Sequence, residues 1–256
     1  MKITMHTREF VDQAIILRLG RFKESDCWVR CMTPSQGIIT GFAFGGLKSR
    51  RRFPACLDNL NHVQFRFSYN KHEYITLQEG SILNRFAGLS SKPVHLGMLV
   101  NCVKFLEAVQ LGSPEAEQAF ALLLNILDIL DFRPDCSKNL PLYFRARLSV
   151  IYGYAPELCH CHFCGQELGQ AEKVALDIKK GQSSCPKCSQ DLSETRVIFR
   201  PSEFKHFKEV MYGSPEHWPL DRSKDPEMFR PVQAMDRFVH YHMGLVWQGK
   251  GFRQAA

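Results

Sequence analysis

The sequence predicts an α+β protein of more than one domain, in which a β-rich first third precedes a helical remainder interrupted by a cysteine-rich insertion. Three observations carry that prediction. Up to about residue 85 the apolar residues come in short runs of strand length. From Val94 onward they recur at helical spacing, and between residues 157 and 195 two Cys-x-x-Cys pairs break that spacing. The boundaries that follow are 1–84 for the β-rich domain and 85–256 for the helical domain, with the insertion at 157–195.

Five runs in the first third have strand length and strand residues: Phe10–Leu19, Cys27–Thr33, Gly37–Phe44, His62–Tyr69 and Tyr74–Glu79. Turn-forming residues separate them at Lys23–Asp26, Thr33–Gly37 and Ser68–Lys71. Five strands with no long helix among them suggest a small closed barrel. An OB-fold is the leading version, and an SH3-like barrel fits the count nearly as well.

The third and fourth strands are joined by Phe44-Gly45-Gly46-Leu47-Lys48-Ser49-Arg50-Arg51-Arg52-Phe53. Three adjacent arginines repel one another unless an anion lies against them, so phosphate contact is the favoured reading of this loop. Charge along the chain agrees: residues 1–85 carry 13 Lys/Arg against 7 Asp/Glu, and residues 86–150 carry 6 of each. A basic face for a phosphate backbone is expected from Arg18, Arg21, Lys23, Lys48, Arg50, Arg51, Arg52, Arg66 and Lys71. Phe42, Phe44, Phe53, Phe65 and Phe67 have the rings to stack on bases. Strand alternation favours them as barrel core instead.

Helical spacing begins with Leu96, Leu99, Val103 and Leu106 and resumes with Phe120, Leu123, Leu124, Leu127 and Leu130. Ser113-Pro114-Glu115 supplies a capping residue followed by proline at the first helical position. Further helices are expected over Pro141–Tyr152, Pro201–Tyr212 and Pro231–Trp247, with Gly213–Arg230 a loop or poorly ordered linker.

Within the insertion, Cys161-x-x-Cys164 and Cys185-x-x-Cys188 are separated by 20 residues. Two such turns supply the four sulfurs that a structural zinc prefers, and a four-cysteine set leaves no position for water or substrate. The cofactor expected is therefore a structural Zn2+ held by Cys161, Cys164, Cys185 and Cys188. Cys159 competes with Cys161 for a place in the set, although only Cys161 has the two-residue spacing to Cys164. A redox Cys-x-x-Cys would need one pair beside a βαβ pattern, which is not found. His160 and His162 read as surface residues. His240 and His242, two apart on a helix, point to different faces and make a poor metal pair.

The sequence holds no phosphate-cradling glycine motif, nucleophile elbow or His-Glu-x-x-His, so no enzyme activity is expected. No segment has the length of apolar residues that a membrane span needs. The polar Met1–Phe10 and the ten cysteines fit a reducing cytoplasm.

Several stretches together resemble the RecO family of bacterial recombination mediators. Ala14-Ile15-Ile16-Leu17-Arg18 followed by Lys23-Glu24-Ser25-Asp26 resembles the family's first strand and turn. Gly46–Phe53 and Leu57 look like its basic segment. Phe144-Arg145-Ala146-Arg147-Leu148, then Gly153-Tyr154-Ala155-Pro156 and the first cysteine pair, look like the join from helical core to zinc unit. Arg237–Gly244 resembles the closing helix. The resemblance covers about Gln13 to Arg253. It implies an OB-fold, then a helical domain with a zinc insertion. It also implies binding of single- and double-stranded DNA, annealing of complementary strands and assistance in loading the recombinase RecA, in a nucleoid-associated cytoplasmic protein. The implied partners are RecR and the acidic C-terminal tail of single-strand binding protein. That tail is expected to meet Arg133, Lys138, Arg145 and Arg147. The alternative is a zinc-stabilised adaptor that binds only proteins.

Overall fold

The computed structural model describes residues 8–70, 74–109, 113–189, 195–221 and 225–255. They form two compact units, Met1–Ser91 with Gln110–Leu124, and Lys92–Val109 with Asn125–Ala256.

In the first unit, β1 (Glu9–Arg21), β2 (Cys27–Thr33), β3 (Gly37–Ala43), β4 (His62–Tyr69) and β5 (Ile75–Asn84) close into a barrel in the order β1-β2-β3-β5-β4. All ladders are antiparallel except β3 with β5, whose short parallel contact runs through Gly41–Ile75 and Phe42–Thr76. The long β1 serves two neighbours. Its first half pairs with β4 and its second half with β2, with a register shift between Ile16 and Arg18. Ala14, Ile15, Ile16 and Leu17 are all buried, so both faces of this stretch are covered. Ala14 and Ile16 join Val29, Val63, Phe65, Phe67 and Leu77 in the barrel core. Each large apolar side chain among them contributes about 1.5–3 kcal/mol by leaving water. Close packing needs glycine opposite the largest rings. A Cβ on Gly20 would lie 2.2 Å from the Trp28 ring, and one on Gly80 would lie 2.5 Å from Phe65. The fifth strand extends past its expected end at Glu79 to Asn84, because β4 offers pairing partners along that length.

The second unit contains α1 (Pro93–Val109), the closing turns of α2 (Ser113–Phe132), α3 (Leu140–Ile151), α4 (Pro201–Tyr212) and α5 (Phe229–Met243). Helix α3 touches α1, α4 and α5, and buries Tyr143, Phe144 and Leu148. Lys92 donates to the carbonyls of Leu130, Asp131 and Arg133 at the end of α2, where terminal carbonyls lack helical partners. The cysteine-rich stretch carries a three-stranded sheet, ordered β7 (Gln182–Ser184), β6 (Val174–Asp177), β8 (Arg196–Phe199).

One expectation for the helical part is corrected here. The last helix does not reach Trp247. It stops at Met243, where Gly244 adopts φ +61° and leaves a hairpin of β9 (Leu245–Gln248) and β10 (Gly251–Gln254) to follow. A left-handed glycine is a common helix terminator. The described residues of Gly213–Arg230 form a loop with short 3-10 turns at Pro215–His217 and Pro226–Met228, and they bury Trp218, Leu220 and Met228. No helix among the described residues is long and apolar enough to cross a membrane.

Candidate nucleic-acid interface and metal centre

The turn after β1 and the loop after β3 are tied together. The Gly45 amide donates to Asp26 Oδ1 at 2.7 Å, and the Leu47 amide to the Ser25 carbonyl at 3.0 Å. Further along, the Gly80 amide donates to the Arg52 carbonyl at 2.8 Å, which pins the loop onto β5. The cationic loop is thus held at both ends by the barrel. Within it, the Arg52 guanidinium caps the Phe44 carbonyl and lies 5.2 Å from the Phe53 ring centroid.

Arg51, Arg52 and Arg66 line one concavity of about 350 Å³ with Val11, Gln64 and Glu79. Arg66 is paired there with Glu79 at 2.9 Å and with Glu9 at 4.0 Å. Arg50 and Arg51 are exposed and have no ion pair among the described residues. Lys48 pairs with Glu24, and Lys23 reaches Asp26 at 4.0 Å. Arg18 faces solvent opposite Arg30, and Arg21 lies exposed at the end of β1. The expected basic face is therefore brought together most tightly at Arg51, Arg52 and Arg66. Lys71 lies outside the described residues.

The phenylalanines divide. Phe53, Phe65 and Phe67 are core, as alternation predicts. Phe44 departs from that reading: β3 ends at Ala43, so Phe44 escapes the barrel interior and is 50% exposed. It belongs to a ring cluster with Phe42, stacked at 6.3 Å, and with Phe22, edge-on at 6.1 Å. Tyr74 meets Phe42 at 6.2 Å. Phe22 and Tyr74 were not among the sequence-derived candidates. Phe22 is a lone aromatic beside a polar turn, and Tyr74 opened an expected strand, so neither stood out as a stacking residue.

The four cysteines of the second unit converge. The sulfurs of Cys161, Cys164, Cys185 and Cys188 all lie within 4.8 Å of one another, and Cys164 Sγ is 3.8 Å from Cys185 Sγ. A tetrahedron of zinc–sulfur bonds of about 2.3 Å requires sulfur separations of roughly 3.8 Å. The donor set therefore fits a structural zinc. Local backbone prepares it: Gly165, at φ +73°, donates to the Cys161 carbonyl, and the Cys188 amide to the Cys185 carbonyl. Burial alone would raise the Cys161 thiol. Amides of Cys185, Cys164 and Phe163 directed at its sulfur outweigh that and bring it down to about 6, favouring the thiolate a metal needs. Cys188, beside the sulfurs of Cys164 and Cys185, is pushed up to about 12. Cys159 is outside the set, exposed, with its sulfur 3.5 Å from Lys208 Nζ. His160 and His162 are exposed.

The four cations expected to meet an acidic tail are differently employed. Arg145 is largely buried, donates to Asn101 at 3.0 Å, lies over the Phe105 and Phe252 rings and reaches Asp236 at 4.0 Å. Arg147 donates to the Met211 carbonyl at 2.9 Å. Arg133 pairs with Asp221 at 3.4 Å, and Lys138 is exposed.

A small barrel bearing a pinned cationic loop is joined in one chain to a helical unit whose four clustered cysteines form a candidate metal centre. Sequence comparison makes the assignment particular. The family described as "Recombination protein O N terminal" matches residues 5–86, and "Recombination protein O C terminal" matches residues 96–198. The chain belongs to the RecO family. It is 39% identical to the DNA repair protein RecO of Solidesulfovibrio magneticus over 96% of this chain and 100% of that protein. It is 34% identical to the DNA repair protein RecO of Maridesulfovibrio salexigens, over 96% of this chain and 99% of that one. These relatives identify a protein of DNA repair and recombination.

Proposed function

We propose that this protein binds single- and double-stranded DNA through an OB-fold barrel, anneals complementary strands and helps load RecA in recombinational repair, without catalysing a covalent step. The proposed domains are 1–84 and 85–256, with a structural zinc in the 157–195 insertion. The observation that carries the reading is the Arg50–Arg52 loop, fastened to the barrel by the Gly45, Leu47 and Gly80 amides and set beside half-exposed rings. Fastened cations hold backbone without reading sequence, and the Phe22, Phe42, Phe44 and Tyr74 rings supply faces on which any base can stack. Annealing follows physically, because a basic surface screens the repulsion between two strands while leaving their bases free to pair.

The proposed partners are RecR and the acidic tail of single-strand binding protein, with RecA met indirectly and the nucleoid as the place of work. In the tail site proposed at Arg133, Lys138, Arg145 and Arg147, Lys138 is the informative position to test. Reversing Arg145 or Arg147 would remove hydrogen bonds to Asn101 and Met211 that hold the helices, and so would report on folding.

Titration of a labelled single strand over a salt series tests the DNA reading. Replacing Arg50, Arg51 and Arg52 by Ala should weaken binding and flatten the log–log salt slope by about 0.7 for each phosphate the loop no longer neutralises. An unchanged slope would remove this loop from the interface.

A further inference from the structure

A groove in the second unit, between β8 and α5, is lined by Lys173, Arg196, Arg200, Arg230, Gln233 and Arg237 and encloses about 630 Å³. The carboxylate of Glu203, with 1% of the residue exposed, organises one end. Its Oε2 accepts from the Arg200 amide at 2.7 Å and from Arg230 at 3.0 Å, and its Oε1 accepts from the Arg200 guanidinium at 3.1 Å. One carboxylate thus fixes two guanidiniums at one end of the groove. Guanidiniums held in place in this way can meet phosphate oxygens through their remaining N–H donors.

The groove continues into aromatic side chains. Arg230, Gln233, Arg237 and Tyr241 recur every three or four residues on α5, so they share one face of the helix. At about 1.5 Å per residue they mark a track of roughly 16 Å. Tyr241 is 51% exposed, carries Lys179 Nζ 5.7 Å from its ring and meets His242 edge-on at 5.0 Å. Tyr154 follows at 5.4 Å from His242, and Tyr152 at 6.0 Å from Tyr154. His242 is fixed by a 2.8 Å hydrogen bond between Nε2 and the Ile178 carbonyl.

From these two features we infer that the second unit carries its own single-stranded nucleic-acid track, with phosphates in the β8–α5 groove and bases on the Tyr241–Tyr154–Tyr152 row. A cationic groove alone would also suit an acidic peptide. The adjoining row of half-exposed rings favours nucleic acid, because every base offers a face to stack while acidic side chains offer none. The track uses no barrel residue, so it stands or falls separately from the barrel interface. With both, one molecule holds two strands at once.

The test uses the full chain and a single-stranded oligonucleotide carrying 5-iododeoxyuridine, irradiated and mapped by peptide mass spectrometry. Adducts on Tyr241, Tyr154 or Tyr152 are expected, in the wild type and in R50A/R51A/R52A. In that triple variant, adding K173E and R237E should cut residual affinity at least tenfold and lower the salt slope by about 1.4. Circular dichroism and bound zinc serve as controls for the fold. Adducts confined to residues 9–84, with no effect of K173E/R237E, would overturn the track and leave the barrel reading intact. Binding of poly-L-glutamate that K173E/R237E abolishes, with no adduct on the tyrosines, would overturn it in favour of an acidic-peptide groove. Adducts on the tyrosines alone would support the track while removing the barrel interface.

Discussion

At the scale of single residues, two groups decide most of the local chemistry. The first is the sulfur quartet. Replacing Cys161 by Ala leaves three ligands and opens a closed site, so the purified variant should carry well under one equivalent of zinc. Replacing the exposed Cys159, 3.5 Å from Lys208 and outside the quartet, should leave zinc content unchanged. Metal analysis of the two variants checks both statements. The second group is Glu203. Burial alone would raise its pKa, but the Arg200 amide and guanidinium and the Arg230 charge prevail and hold it below the ordinary carboxylate value. A carboxylate depressed on folding stabilises the protein above its unfolded pKa, and that stabilisation is lost as pH falls through the folded value. Glu203→Gln should therefore cost about 2 kcal/mol in urea unfolding at pH 7, and progressively less as the pH is lowered from the unfolded carboxylate value toward 3. An equal cost at both values would mean that the charge is irrelevant.

Among the elements, β2 and β4 were legible to the residue and β1 and β3 nearly so, because strand residues bounded by turn residues state both type and length. What escaped were elements without a pattern of their own. Val174–Asp177 is buried at all four positions, so β6 shows no alternation, and it exists because β7 and β8 pair on either side. The end of α5 was missed because His240-Tyr241-His242-Met243 continues the helical spacing into Leu245 and Trp247. Only Gly244 marks the stop, and its left-handed backbone makes it testable. Gly244→Ala should lower stability by about 1 kcal/mol, read as a fall of a few degrees in thermal midpoint. A Cβ at this position would also lie 2.9 Å from Gln254 Oε1 on β10, a flexible atom that can move aside. No loss would mean that the hairpin does not depend on this turn.

Over the whole molecule, what the sequence reveals follows how far apart the cooperating residues lie. The cysteine pairs announce themselves because ligand spacing within each knuckle is local, and one fold event then joins two knuckles. The Arg50–Arg52 loop is equally local, and the structure adds only what fastens it. The β8–α5 groove was invisible: Lys173, Arg196, Arg200, Arg230 and Arg237 are spread over segments that meet only through packing, and the 196–256 stretch as a whole carries 10 Lys/Arg against 7 Asp/Glu. The aromatic row was hidden in the same way, since Tyr152 and Tyr154 come from the end of α3 and Tyr241 from α5. The central claim is that these surfaces bring complementary strands together. The most direct measurement is fluorescence transfer between two labelled complementary oligonucleotides, each coated beforehand with single-strand binding protein. Annealing should accelerate severalfold with this protein, and the acceleration should fade at high salt and shrink in R50A/R51A/R52A. No acceleration by a folded, zinc-loaded protein would contradict the account and leave a protein-binding adaptor in its place.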